Sequence, residues 1–115
     1  MGMEIKTRKR GEFILVELEG RLCLGPDTEA FRDTILGLLD RGEKNILIDL
    51  GRVPMLDSSG IGALIRCYNA VRQAGGKYKL LSPSKFVRRT LEVVRLESLF
   101  EIYEDEQTAA ASFLF

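Results

Sequence analysis

The 115-residue sequence contains no histidine and no tryptophan, only three prolines and only two cysteines. Without histidine the chain lacks the commonest general base and the commonest zinc ligand, which excludes a Ser-His-Asp or Cys-His mechanism within it. Cys23 and Cys67 lack metal-ligand spacing, and we expect both to be small buried residues rather than a disulfide. We therefore expect no metal or cofactor to be held by the chain itself.

An excess of one charge and a long apolar run are also missing. Seventeen Lys and Arg residues balance seventeen Asp and Glu residues, so nothing predicts direct binding to nucleic acid or to an anionic membrane. No apolar run approaches the roughly 20 residues that span a bilayer, and the N-terminus MGMEIKTRKR lacks the apolar segment of a signal peptide. We expect one globular domain over residues 1–115, located in the cytoplasm.

The periodicity of the apolar residues predicts two strands followed by alternating helices and strands. The predicted strands are 4–8, 13–19, 45–50, 77–81 and 99–103, the last as an edge strand or an extended connection. The predicted helices are 25–41, 58–74, a third capped by Ser82, and a fourth from the acidic turn 104–106 through Leu114. Helices between strands imply crossover connections. The sequence predicts an α/β fold: a small mixed β-sheet, mostly parallel with an N-terminal antiparallel hairpin, packed with about four helices.

Residues 44–66 bring polar side chains next to a predicted buried strand. Apolar residues occupy both odd and even positions of 46–50, and these point to opposite faces of a strand, so we expect a strand covered on both faces. Asp57-Ser58-Ser59-Gly60 follows it, so two hydroxyls and a carboxylate meet at a helix start. The core face of this helix is predicted to consist of Ile61, Leu64, Ile65, Tyr68 and Val71.

Several interpretations of this motif remain open. It can be a plain helix cap, in which Asp57 or Ser58 accepts a backbone N–H bond and Gly60 and Gly62 allow close packing. A nucleophilic serine of a hydrolase lacks the Gly-x-Ser-x-Gly pattern and an activating histidine, and a phosphate-binding loop lacks its Lys-Ser/Thr pair. In a phosphorylation switch, an exposed hydroxyl gains about −1.5 to −2 charge and repels whatever docks there.

A partner could bind the surface around these hydroxyls. Met55 and Leu56 would give an apolar rim, and small residues on the helix would let the backbone of a partner approach. Arg66 extends the outer face toward an acidic partner or toward water. The predicted partner-binding residues are Met55, Leu56, Asp57, Ser58, Ser59, Gly60, Gly62, Ala63 and Arg66.

The segment NILIDLGRVPMLDSSGIGALIRCYNAVRQAGG resembles the signature of the STAS domain, and specifically of bacterial anti-sigma factor antagonists. LVELEGRL before it and SPSKFVRRTLEVVRLESLFEIYEDEQTAA after it extend the resemblance over nearly the whole chain. The resemblance implies a STAS-like fold. One departure is Cys23-Leu24-Gly25-Pro26, where many members have an aspartate and a more polar helix entry.

The resemblance also implies a regulatory cycle in which the protein is not an enzyme. The unphosphorylated antagonist binds an anti-sigma factor of the serine-kinase type and frees a sigma factor for transcription. That kinase supplies ATP and magnesium and phosphorylates the first serine of the motif, here Ser58, with Ser59 as second choice. The complex then dissociates, and a phosphoserine phosphatase resets the switch. The alternative is a STAS adaptor or structural subunit of a stressosome-like or lipid-transport assembly.

Overall fold

A computed structural model describes residues 2–114, in which five strands form one sheet of order β1-β2-β3-β4-β5. β1 and β2 pair antiparallel, and every later pair of neighbours is parallel. The predicted mixed sheet with an N-terminal hairpin is confirmed, and the last strand is a true edge strand. The strands are Glu4–Arg10 (β1), Phe13–Glu19 (β2), Asn45–Arg52 (β3), Lys77–Leu81 (β4) and Glu101–Tyr103 (β5).

The same part of the chain contains four helices: Pro26–Asp40 (α1), Ser58–Gln73 (α2), Lys85–Val93 (α3) and Glu106–Ser112 (α4). Pro26 occupies the first helical position of α1, where its missing N–H would have no intrahelical partner in any case. Gly42 follows α1 with a φ of 82°, the left-handed conformation with which a glycine commonly ends a helix. The predicted order of elements is confirmed.

Alternating side chains along the strands divide the core between the two faces of the sheet. Ile14, Val16 and Leu18 of β2 join the cluster that includes residues of α1, α2 and α3. On the opposite face, Phe13 stacks on Phe113 with ring centroids 4.8 Å apart, below α4. β3 has buried side chains on both faces, Ile46 and Ile48 in the first cluster and Leu47 in the second, as predicted. The three crossover helices therefore share one face of the sheet.

The third helix begins later than predicted. Ser84, not Ser82, is its N-cap: the hydroxyl accepts a bond from the Val87 amide at 3.4 Å and donates to the Val53 carbonyl at 2.6 Å. Ser82 instead donates its amide to the Tyr103 carbonyl of β5 at 2.7 Å and has a φ of 49°. Because Ser82 is committed to the sheet, the chain needs two more residues before it turns into the helix.

Smaller expectations also change. Cys67 is buried, and burial raises the pKa of its thiol to about 12, whereas Cys23 is only half-buried. Both thiols are free, in agreement with the prediction of no disulfide. Leu114 lies beyond the end of α4, and the inner face of α2 uses Ala63 and Cys67 where Ile61 and Ile65 are only partly buried.

Candidate functional site

The candidate site lies where the connector after β3 enters α2. The loop that follows β2 runs beside this connector: the Leu22 amide donates to the Met55 carbonyl at 3.1 Å, and Leu22 forms a parallel bridge with Leu56. Leu22, Val53 and Leu56 are all buried, so apolar packing holds the two segments together. The parallel pairing of β2 with β3 brings these segments, more than 30 residues apart in sequence, to the same edge of the sheet.

Asp57 is the N-cap of α2 and also bonds to the neighbouring loop. Its Oδ1 accepts a hydrogen bond from the Gly60 amide at 2.9 Å, and its Oδ2 accepts one from the Leu24 amide at 3.0 Å. The bond from Leu24, followed by that from Gly60, holds the pKa of Asp57 below its usual value. The predicted helix cap is therefore confirmed, with Asp57 rather than Ser58 as the capping residue.

The two serines of the motif differ in exposure. Ser58, the first residue of α2, is exposed, whereas Ser59 is half-buried. Within residues 2–114 neither hydroxyl has a hydrogen-bond partner, because Asp57 performs the capping. A carboxylate with a lowered pKa is a poor general base, so Asp57 is unsuited to activate either hydroxyl. The geometry presents Ser58 as an accessible acceptor for a group delivered from outside.

The structure corrects part of the predicted partner surface. Leu56, Gly60 and Ala63 are buried, and a methyl group added at Gly60 would collide with the carbonyl oxygen of Leu22. These three residues support the site from beneath, because their small size or apolar character serves packing inside the domain. The interpretation of Gly60 and Ala63 as a low surface for a partner's backbone is therefore wrong.

Other predicted residues do reach the surface. Met55, Asp57 and Gly62 are half-buried and Arg66 is exposed. The Arg66 guanidinium lies over Gly62: a methyl group added there would be 3.2 Å from its Nη1 atom. The exposed or half-buried part of the predicted set is thus Met55, Asp57, Ser58, Ser59, Gly62 and Arg66.

Leu24 is a neighbour of the site that sequence reasoning missed. Its side chain is 80% exposed, although its amide is fixed by Asp57. The signal in the sequence was the departure at Cys23-Leu24-Gly25-Pro26, where Leu24 lies outside the periodic pattern of α1. Phe86 on α3 is likewise 52% exposed. Apolar surface therefore lies beside Asp57 and also on α3.

Residues 2–114 include no helix long and apolar enough to cross a bilayer. They also include no cluster of three or more acidic or cysteine side chains arranged to hold a metal ion. The polar groups of the site are the Ser58 and Ser59 hydroxyls, the Asp57 carboxylate and the nearby Arg66 guanidinium.

Two features of this chain are typical of one family of domains: crossover helices on one face of a mixed sheet, and Asp-Ser-Ser-Gly at the start of α2. Residues 4–109 match the STAS domain, and the chain belongs to this family. It is similar to BtrV, a candidate anti-sigma factor antagonist of Bordetella bronchiseptica, with 26% identity over 96% of this chain and 95% of the relative.

Two solved structures confirm the STAS-like fold. A candidate anti-sigma factor antagonist from Thermotoga maritima superposes with a TM-score of 0.89 at 20% identity, over 96% of this chain and 95% of the other. The Bacillus cell fate determinant SpoIIAA in its phosphorylated form gives a TM-score of 0.74 at 22% identity, over 95% and 98% of the two chains.

Proposed function

We propose that this chain is an anti-sigma factor antagonist whose binding to an anti-sigma factor of the serine-kinase type ends when Ser58 is phosphorylated. The observation that carries the proposal is the exposed Ser58 hydroxyl, which bonds to no group of residues 2–114 at the rigidly capped start of α2. The name of the relative BtrV and the phosphorylated form in which SpoIIAA was solved support it. The freed sigma factor would then act in transcription.

In the proposed step the Ser58 Oγ attacks the γ-phosphorus of ATP. The new O–P bond forms as the bond to the bridging β,γ-oxygen breaks, and ADP leaves. The hydroxyl proton passes to a base of the kinase, since Asp57 is a poor base. The kinase also supplies ATP and magnesium, so the antagonist catalyses nothing. A phosphoserine phosphatase returns the hydroxyl by hydrolysis.

Phosphorylation would act on docking more than on folding. A phosphoserine adds about −1.5 to −2 charge at pH 7. The N-terminus of α2 partly stabilises that charge, whereas the Asp57 carboxylate opposes it. Ser58 lies on the surface and not in the core, so the added group faces the partner. We therefore expect repulsion and desolvation at the interface to release the complex while the domain stays folded.

The proposal is tested with a serine-kinase anti-sigma factor from the same organism, ATP and magnesium. We expect mass spectrometry to find one phosphate, on Ser58. Ser58→Ala should bind the kinase but resist phosphorylation, and Ser58→Asp should bind more weakly. Ser98→Asp, at an exposed residue before β5, is the matched control and should bind like the wild type.

Other outcomes would count against the proposal. Phosphate only on Ser59 would show that the site assignment is wrong, and no phosphate anywhere would contradict the switch. A fixed multi-subunit assembly that is insensitive to Ser58→Asp would favour the adaptor alternative.

A further inference from the structure

Arg66 lies on the same side of α2 as the serines of the motif. At 100° per residue, its direction around the helix axis falls between those of Ser58 and Ser59. Gly62 lies one turn below Ser58, and Arg66 lies one turn further on. Side chains of a helix lean toward its N-terminus, so the Arg66 side chain is directed toward the serines.

The contacts at Gly62 show where the guanidinium lies. A methyl group at Gly62 would be 3.2 Å from Arg66 Nη1 and 3.7 Å from both Cζ and Nη2. The whole guanidinium therefore covers Gly62, one helical turn from Ser58. Arg66 is exposed and forms no ion pair with any of residues 2–114. A positive group that pairs with no acidic residue of the described range 2–114 thus lies about one turn from Ser58.

We propose that Arg66 is the counter-ion of phosphorylated Ser58, an inference that rests on the proposed function. A guanidinium is planar and can donate two parallel hydrogen bonds to phosphate oxygens. The absence of a side chain at Gly62 leaves the space in which the guanidinium can move toward the phosphate. Arg66 then offsets the repulsion between the phosphate and Asp57, so that the phosphorylated domain keeps the start of α2 in place.

Two other charged groups enter the test. Asp57 lies one residue away from the phosphate and opposes it. Arg32 of α1 is near Cys67, the neighbour of Arg66, since Arg32 and Arg66 both lower the pKa of Cys67 against the larger effect of burial. A test must therefore separate the effect of Arg66 from those of Asp57 and Arg32.

The test places phosphoserine at position 58 by genetic-code expansion, which requires no kinase, and follows the phosphate by ³¹P NMR against pH. Removing the positive charge in Arg66→Gln should raise the second pKa of the phosphate by roughly 0.2–0.7 unit, the size typical of an exposed ion pair. Added salt should shrink this difference. Arg32→Gln should raise the pKa less than Arg66→Gln, and Asp57→Asn should lower it.

Arg89→Gln is the matched control, because Arg89 is an exposed arginine on α3. It should leave the phosphate pKa unchanged. Circular dichroism verifies that each variant keeps its fold, which matters most for Asp57→Asn because Asp57 is the N-cap of α2. Arg66→Lys keeps the positive charge but lacks the planar guanidinium. The phosphate pKa of this variant should therefore lie between those of the wild type and Arg66→Gln.

Equal phosphate pKa values in the wild type and Arg66→Gln would overturn the inference, whatever the kinase does. A shift in Arg66→Gln together with no kinase-dependent phosphate on Ser58 would support the ion pair and overturn the proposed function. The two proposals therefore fail in distinguishable ways.

Discussion

The carboxylate of Asp57 accepts a hydrogen bond at 3.0 Å from the backbone amide of Leu24, which lies 33 residues earlier in the chain. Its other oxygen accepts the Gly60 amide at 2.9 Å. One side chain thus links the loop after β2 to the first turn of α2. The shape of the surface around Ser58 depends on this link, because Leu24 and Ser58 belong to different elements.

Asp57→Asn is expected to lower the free energy of unfolding at neutral pH. An amide has one carbonyl oxygen in place of two carboxylate oxygens, so either the Leu24 or the Gly60 amide loses its acceptor. The pKa of Asp57 is lowered in the folded state from the usual 3.8. Its contribution is therefore full above that value and is lost as the pH falls through the lower, folded-state pKa.

Urea unfolding at about pH 7 and about pH 3 measures this dependence. The difference between wild type and Asp57→Asn should be largest at the higher pH and shrink at the lower. Asp33→Asn, at an exposed position on α1, is the control and should leave stability nearly unchanged. A difference between wild type and Asp57→Asn that is equal at both values would contradict the role of the charged carboxylate.

Gly60 and Gly62 are two residues apart but should respond oppositely to alanine. At Gly60 the added methyl would meet the Leu22 carbonyl, so we expect a loss of about 1–3 kcal/mol in the free energy of unfolding. At Gly62 it would meet only the movable end of Arg66, so better helix propensity should add about 0.5–1 kcal/mol. Denaturant titration of both variants measures these free energies of unfolding. Changes of the same sign in the two variants would contradict the packing described for Gly60 and Gly62.

Ser84 and Ser82 form a second matched pair. Ser84→Ala removes the N-cap of α3 and the bond to the Val53 carbonyl, and should cost about 0.5–2 kcal/mol. Ser82→Gly should be neutral or stabilising, because a φ of 49° suits glycine better than serine. Thermal unfolding of the two variants tests whether Ser84, rather than Ser82, caps α3. A larger loss for Ser82→Gly would restore Ser82 as the important residue.

Lys79 is a buried lysine that holds α4 against the sheet. Its ammonium donates to the Ser112 carbonyl at 3.1 Å and hydroxyl at 2.8 Å, and lies 4.7 Å from the centre of the Phe113 ring. Lys79→Met should lower the free energy of unfolding by about 1–3 kcal/mol and speed amide exchange in α4.

Hydrogen exchange read by mass spectrometry checks the Lys79 prediction, with Lys85→Met at an exposed residue of α3 as control. Because α4 covers the opposite face of the sheet from α2, phosphorylation of Ser58 should be unaffected. Unchanged exchange in α4 would contradict the role of Lys79, since the Phe113 and Ala109 packing and the Arg10–Glu106 ion pair would then suffice to hold this helix.

Local patterns in the sequence were enough to predict much of this protein. The order of elements, the hairpin and the two-sided burial of β3 follow from the spacing of apolar residues, which reports the period of each element. The cap at Asp57 follows from the chemistry of one turn, since the bond to Gly60 spans only three residues. The serine motif at the start of a helix was likewise recognisable from adjacent residues.

Tertiary structure alone decided which motif residues face outward. Gly60 is buried because the Leu22 carbonyl, from the loop after β2, lies against it. The position of Leu24 is fixed because its amide donates a hydrogen bond to the Asp57 carboxylate at the start of α2. Ser84 rather than Ser82 caps α3 because the Ser82 amide pairs with β5. Each outcome depends on a contact between segments distant in sequence, formed only once the strands have paired, and no periodicity within one segment records such a contact.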